Sequence, residues 1–170
     1  MTKQDTSENP AKIVYLGLGS NLGNRKANIE KAIIELLKNK IIILKLSSYY
    51  ESLSWPNPKN PKFLNIVIKV NTKLKPKILL SICKKIESLI GRKVSLKNSP
   101  RECDIDLIAY KNKVFKGDIS IPHSKMHLRN FVLIPLYELN KNWFHPVLNI
   151  SIKNLIFSLS IKDIRSIKKV

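Results

Sequence analysis

The run Pro100-Arg101-Glu102-Cys103-Asp104-Ile105-Asp106-Leu107-Ile108 sets two carboxylates two residues apart in an apolar, strand-like segment. Side chains alternate faces along a strand, so Asp104 and Asp106 project the same way, roughly 6–7 Å apart. Ile105, Leu107 and Ala109 are expected to point the other way. Two anions side by side repel unless they share a cation. Paired Mg²⁺ ions, which keep waters and borrow phosphate oxygens from a substrate, meet that need. A lone D-x-D is more often a solvated strand face carrying two incidental acids. This one keeps different company, with Arg101 upstream and a His/Arg segment downstream.

That downstream segment is Ile121-Pro122-His123-x-x-x-His127-x-Arg129-x-Phe131. The two histidines are spaced i, i+4, yet no third His or Cys lies nearby, which argues against zinc. His123 and Arg129 read as phosphate donors and His127 as an exposed helix residue. Arginine is rare here, with 31 Lys+Arg of which only Arg25, Arg92, Arg101, Arg129 and Arg165 are arginine. Arg92, Arg101 and Arg129 all fall in or beside candidate site segments, where a guanidinium fork grips phosphate bidentately.

The elements that must position these groups follow from hydrophobic period. Residues 13–18 form an apolar strand, and 19–24 a turn into a helix carrying Ile29, Ile33, Leu36 and Leu37 on one side. Residues 41–50 read as a second strand. The long Pro-rich connection 51–62 suits a functional loop. In residues 63–70, Leu64, Ile66, Ile68 and Val70 face one side and Phe63, Asn65, Val67 and Lys69 the other. A helix from about Pro76 to Gly91 follows, then a polar loop over 92–102 and the D-x-D strand. A short strand is expected around Val114. A helix within 126–139 is expected to break or end near Pro135, and 151–160 is a weaker helix candidate.

The order β-α-β-β-α-β predicts an α+β fold, a ferredoxin-like antiparallel sheet with helices on one face and a C-terminal extension. The uncovered face then carries Phe63, Asn65, Asp104 and Asp106 together. Phe63 and Phe131 could sandwich a flat heterocycle while Asn65 supplies selectivity. The two long loops could close over it as lids. Trp55 is expected to anchor its loop rather than touch ligand; Trp143 and His145 read as structural.

Length suits one domain: a disordered tail over 1–11, the folded unit over 12–159, and a basic, frayed tail over 160–170. No stretch approaches a membrane span, the start is polar without a signal-peptide hydrophobic region, and Cys83 and Cys103 offer no disulfide framework. The chain therefore reads as cytoplasmic, with no membrane partner. A net charge of +19 invites a nucleic-acid reading. Lys, Ile and Asn all use A/T-rich codons, however, and the lysines are scattered rather than clustered. Glycines at 17, 19 and 23 match neither G-x-G-x-x-G nor a P-loop, so they read as a structural turn packed near the site.

Taken together the segments resemble the 6-hydroxymethyl-7,8-dihydropterin pyrophosphokinases of folate biosynthesis, over about 13–149. The resemblance is carried by Leu18-Gly-Ser-Asn-Leu-Gly-Asn-Arg25, Tyr50-Glu-Ser-Leu-Ser-Trp55, Asn60-Pro-Lys-Phe-Leu-Asn65, the D-x-D block and Ile121-Pro-His…Arg129-Asn-Phe-Val-Leu-Ile-Pro-Leu136. It implies transfer of pyrophosphate from ATP to the pterin hydroxymethyl group, releasing AMP, by a monomer. It implies two Mg²⁺ ions on Asp104 and Asp106, with Arg92 and Arg101 also catalytic. Glu87, Arg92, Arg101, His123 and Arg129 fall at nucleotide-associated positions. Phe63 and Phe131 stack on the pterin, Asn65 bonds its edge, and Leu53 and Trp55 line the pocket. Metal coordination or Asp106 assists removal of the hydroxyl proton.

This chain departs from the pattern in one loop. Lys97-Asn98-Ser99-Pro100-Arg101 stands where relatives carry a Trp-containing run before Pro-Arg, and Ser124 follows His123 where an aromatic or Pro is usual. An active but slower enzyme is expected. The rival readings are an RNA-binding domain of the same strand order, whose Lys/Arg-Gly-aromatic motif is missing here, and a relative that binds pterin without turning it over.

Overall fold

The computed structural model describes residues 11–93, 95, 96 and 98–170. The tail expected over 1–11, save Ala11, and Lys97 of the departing loop lie outside the described residues. The chain runs β1 (Lys12–Ser20), α1 (Arg25–Lys38), β2 (Ile42–Leu46), β3 (Tyr50–Ser52), β4 (Phe63–Thr72), α2 (Pro76–Ile90) and β5 (Asp104–Tyr110). A 3-10 turn (Met126–Leu128), α3 (Asn130–Leu139), α4 (Ile152–Phe157), α5 (Ile161–Ser166) and β6 (Lys168–Lys169) complete it.

β1 lies between the edge strand β5 and the central strand β4, antiparallel to both. β2 and β3 both pair with β4, so the single strand expected over 41–50 is two short strands. The α1 N-terminus is closed by Asn24, whose side chain accepts from the Ala27 amide, and Ile29, Ala32 and Leu36 form its buried stripe. Proline at the first position of α2 costs no helix bond. Gly91 ends that helix in the left-handed region at φ 119°, which a side chain would disfavour.

As expected, α1 and α2 pack on one face, over Leu16, Leu18, Leu64, Ile66, Ile68, Ile105 and Leu107. The opposite face is not uncovered. α3 and α4 close a second core there with Tyr15, Val67, Ile108 and Ala109, leaving only the end near Asp104, Asp106 and Asn65 open. Ala109 joins this second core rather than siding with Ile105 and Leu107. The β1–β5 register slips between Tyr15 and Leu16, and the extra residue on β5 turns Ala109 over.

α3 continues through Pro135 to Leu139. The proline removes only the ladder bond to the Phe131 carbonyl, and burial of Val132, Leu133 and Leu136 holds the helix together. Around Val114 only isolated bridges form, Tyr110 with Lys113 and Phe115 with Ile121. The C-terminal segment expected to fray instead forms α5 and β6, with β6 paired to β3. Among the described residues no helix is long and apolar enough to cross a membrane.

Candidate active site

Two glycines on β1, between β4 and β5, make the trench in which the site sits. Gly19 lies in register between Asn65 of β4 and Asp104 of β5, and Gly17 between Val67 and Asp106. A Cβ on Gly19 would stand 3.0 Å from Asn65 Oδ1 and 3.2 Å from Phe63 Cδ1. These residues were read as a turn; they lie within β1, and the floor they make was not visible from glycine spacing alone.

Asp104 and Asp106 do project to the same side and line one slot together with Phe63, Asn65, Trp55 and Phe131. Asn65 is buried, and its Nδ2 donates to Ser52 Oγ at 3.0 Å, which orients the amide along the slot floor. Phe63 and Phe131 border the same slot from β4 and α3. The Arg101 guanidinium lies 5.2 Å from the Phe63 centroid, and that of Arg129 lies 5.5 Å from Phe131 and 5.1 Å from Trp55. Flat cations thus already stand against rings that could take a flat heterocycle, and the free volume beside them is about 50 Å³. Trp55 therefore faces the slot as well as tethering its loop.

A larger cleft of about 450 Å³ adjoins the slot, lined by Glu87, Arg92, Asn98, Arg101, Arg129 and both aspartates among others. Asp104, Asp106, Arg101 and Arg129 border both spaces. The acids sit at the junction of an aromatic slot and a cationic cleft.

The arginines hold those acids tightly. Arg92 Nη1 meets Asp104 Oδ1 at 2.6 Å and Glu87 Oε2 at 2.8 Å, and Arg101 Nη2 meets Asp104 Oδ2 at 2.6 Å. Burial raises the Asp104 pKa, but Arg101 and Arg92 outweigh it and keep the carboxyl below its ordinary value. Arg129 Nη1 meets Asp106 Oδ2 at 3.0 Å, and His123 Nε2 approaches the same oxygen at 3.9 Å. His123 is held below its ordinary value by burial; Asp106 opposes that effect and Arg129 adds to it. The Nε groups of Arg101 and Arg129 are buried without a partner. Each is a donor with hydrogen-bonding capacity to spare for an anion.

Other candidates fall into supporting positions. Glu87 is 2 % exposed and accepts from the Ile105 amide at 2.7 Å, so it anchors both Arg92 and the start of β5. Leu53 borders neither space and is partly exposed. His127, expected on an exposed helix face, is half-buried on the 3-10 turn, edge-on to His145 at 6.2 Å.

Asn21 was not singled out in the sequence and ties the site's loops together. Its Oδ1 accepts from the Arg101 amide at 2.7 Å, its own amide donates to the Arg101 carbonyl at 3.1 Å, and its Nδ2 donates to the Pro61 carbonyl at 3.1 Å. A turn Asn before a helix signals capping, which is why its long-range bonding went unseen.

Two carboxylate donors on one face suit a hard divalent cation. Among the described residues no group of three or more His, Cys, Asp or Glu could hold a metal by itself. A cation here would complete its shell with water and with oxygens of a bound phosphate, the pattern of Mg²⁺ in phosphoryl-transfer sites.

An open antiparallel α+β sandwich with an acid pair, a cationic cleft and an aromatic slot at one sheet end defines a group-transfer enzyme of the phosphate-handling kind. Residues 15–141 match the family model of 7,8-dihydro-6-hydroxymethylpterin-pyrophosphokinase. The chain is 40% identical over 158 residues to a 2-amino-4-hydroxy-6-hydroxymethyldihydropteridine pyrophosphokinase of Aquifex aeolicus, covering 92% of this chain and 98% of that one. It is 39% identical over 148 residues to a folic acid synthesis protein of Dictyostelium discoideum, covering 86% of this chain and 22% of the longer relative. The wild-type HPPK-DHPS crystal structure of Plasmodium falciparum superposes with a TM-score of 0.73 at 17% identity, over 96% of this chain and 45% of that one. That likeness bears on fold alone. The chain belongs to the 7,8-dihydro-6-hydroxymethylpterin-pyrophosphokinase family.

Proposed function

We propose that this chain transfers the β,γ-pyrophosphoryl group of ATP to the hydroxymethyl oxygen of 6-hydroxymethyl-7,8-dihydropterin, giving the pterin diphosphate and AMP in folate biosynthesis. The observation that carries the reading is the shared border: Asp104, Asp106, Arg101 and Arg129 line both the aromatic slot and the cationic cleft. An acceptor in one space and a triphosphate in the other would meet at those four residues.

In this reading Phe63, Phe131 and Trp55 supply flat apolar surface for the pterin, and Asn65 hydrogen-bonds its edge. Arg92, Arg101, Arg129 and His123 neutralise and orient the phosphates, each donor unpartnered at present gaining an oxygen. Glu87 acts through Arg92 rather than on the nucleotide. Asp104 and Asp106 would hold two Mg²⁺ ions, which when bound supply charge neutralisation across the phosphates. The residues' work is then positioning and charge stabilisation, with the acceptor hydroxyl in line with the departing AMP oxygen. We further propose a monomer of one domain, into which 160–170 folds as well, working in the cytoplasm without nucleic-acid or membrane partners.

The test is incubation with ATP, Mg²⁺ and the hydroxymethyl dihydropterin. AMP appearing in step with pterin diphosphate is expected. Release of ADP, or pterin-independent nucleotide loss, overturns the reading.

A further inference from the structure

The last eleven residues touch both walls of the aromatic slot without lining it. α5 begins at Ser160, whose hydroxyl accepts from the Asp163 amide at 3.0 Å. Its far side meets Asn130, the first residue of α3, standing between Arg129 and Phe131. Asn130 is buried and its amide is fully used: Nδ2 donates to the Asp163 carbonyl at 2.5 Å and to Ser166 Oγ at 3.0 Å. Its Oδ1 accepts from the Phe131 amide at 2.6 Å, one of the donors that a helix start leaves without a partner.

Two residues beyond Ser166, the chain crosses to the other wall. Lys168 pairs with Glu51 and Lys169 with Tyr50, and the Val170 amide donates to the Tyr49 carbonyl at 3.0 Å. β3 leads directly to Ser52, which orients Asn65, and to Trp55. One side of the slot is thus fastened through Asn130 and the other through β3, by a single short segment outside the matched 15–141 region.

We infer that residues 160–170 are a positioning strap that sets the separation of the Phe131 and Trp55 walls, and so governs affinity for the flat acceptor far more than for nucleotide. The inference rests on the pterin reading above. The cationic cleft is bordered by α2, the 92–101 loop, β5 and Arg129; among the described residues only Arg129, which precedes Asn130, adjoins a strap contact, so the cleft depends on the strap less than the slot does. Fastening the walls beforehand spares the ordering cost of acceptor binding.

Two variants test this. Asn130→Asp keeps an oxygen for the Phe131 amide and loses both donors to the strap; a chain ending at Leu159 removes the strap whole. Pterin binding is read by fluorescence titration with Mg²⁺ and a non-hydrolysable α,β-methylene ATP analogue, and analogue binding is read alone. Asn130→Asp is expected to weaken pterin about three- to tenfold, from the loss of two modest hydrogen bonds, with nucleotide affinity within about twofold. Truncation is expected to weaken pterin further in the same direction. Should truncation unfold the chain, Asn130→Asp decides alone. Pterin affinity matching wild type in Asn130→Asp, or nucleotide affinity falling in proportion with it, overturns the strap. Absence of pterin binding by the wild type instead refutes the functional reading, and the strap's role with it.

Discussion

Gly19→Ala is the smallest change that distinguishes the slot from the cleft. The added Cβ would lie 3.0 Å from Asn65 Oδ1 and 3.2 Å from a Phe63 ring carbon, both tighter than ordinary contact. Gly19 does not occupy the left-handed region, so the backbone itself accepts alanine. Asn65 cannot simply swing away, because its Nδ2 is held by Ser52. Overpacking of this kind costs about 1–3 kcal/mol, offset by about 0.4–1 kcal/mol from a less flexible unfolded chain. Separately from that stability cost, displacement of Asn65 and Phe63 that weakens pterin binding by about 1.4 kcal/mol corresponds to roughly a tenfold rise in its KM. Thermal denaturation should show a fall of roughly 2–6 °C for a domain of this size. ATP KM should move by less than about twofold, a modest interval beside the tenfold change. Gly17→Ala is the matched control. Its Cβ would meet the buried Ile108 side chain, Cδ1 at 3.3 Å and Cγ1 at 3.5 Å, and neither Asn65 nor Phe63, so any cost falls on the core rather than on the acceptor. Steady-state kinetics with each substrate varied in turn reads the result. Unchanged pterin KM in Gly19→Ala, or equal loss for both substrates, would refute the placement of the acceptor over Gly19.

Three further outcomes follow from the geometry. Asn21→Ala unhooks the Arg101 loop and the 53–62 loop at once and leaves the half-buried Arg101 amide without its acceptor; a loss of about 1 kcal/mol in denaturant unfolding and raised KM for both substrates are expected. Glu87→Gln keeps the shape but removes the charge that anchors Arg92, so ATP KM should rise with pterin KM near wild type, and loss confined to pterin would contradict it. His145 is buried and its Nδ1 accepts from the Val147 and Leu148 amides, and burial together with His127 lowers its pKa. Its folded-state value lies below the unfolded one, so its stabilisation is full above about pH 6.5 and is lost as pH falls through the lowered value. His145→Asn should flatten that part of the stability–pH curve measured by urea unfolding, and an unchanged slope would exclude His145 as its source.

Strand alternation made the acid pair legible, because a period of two fixes Asp104 and Asp106 on one side wherever the strand stays regular. The same rule placed Phe63 beside Asn65. It failed at Ala109, where a bulge set by pairing with β1 turns one residue over, and local pattern carries no record of a partner's register. The second core escaped notice for a similar reason. α3 has apolar residues nearly all round and an internal proline, so its period is weak and only Tyr15, Val67 and Ile108 reveal what it covers. Local composition also misjudged 160–170, where lysines suggest a free end but backbone pairing with β3 holds it. Arg92, Arg101 and Arg129 were legible as rare arginines in a lysine-rich chain. Their grip on the aspartates was not, since it needs three separate segments to converge.

The central claim is that the acid pair serves the transfer step while the aromatic slot holds the acceptor. Single-turnover AMP release by Asp104→Ala and Asp106→Ala, measured beside pterin fluorescence titration on the same preparations, tests it most directly. AMP formation is expected to fall by at least about a thousandfold, the scale of losing a major electrostatic contributor, while the folded variants still take up pterin. AMP release at the wild-type rate from either variant would contradict it.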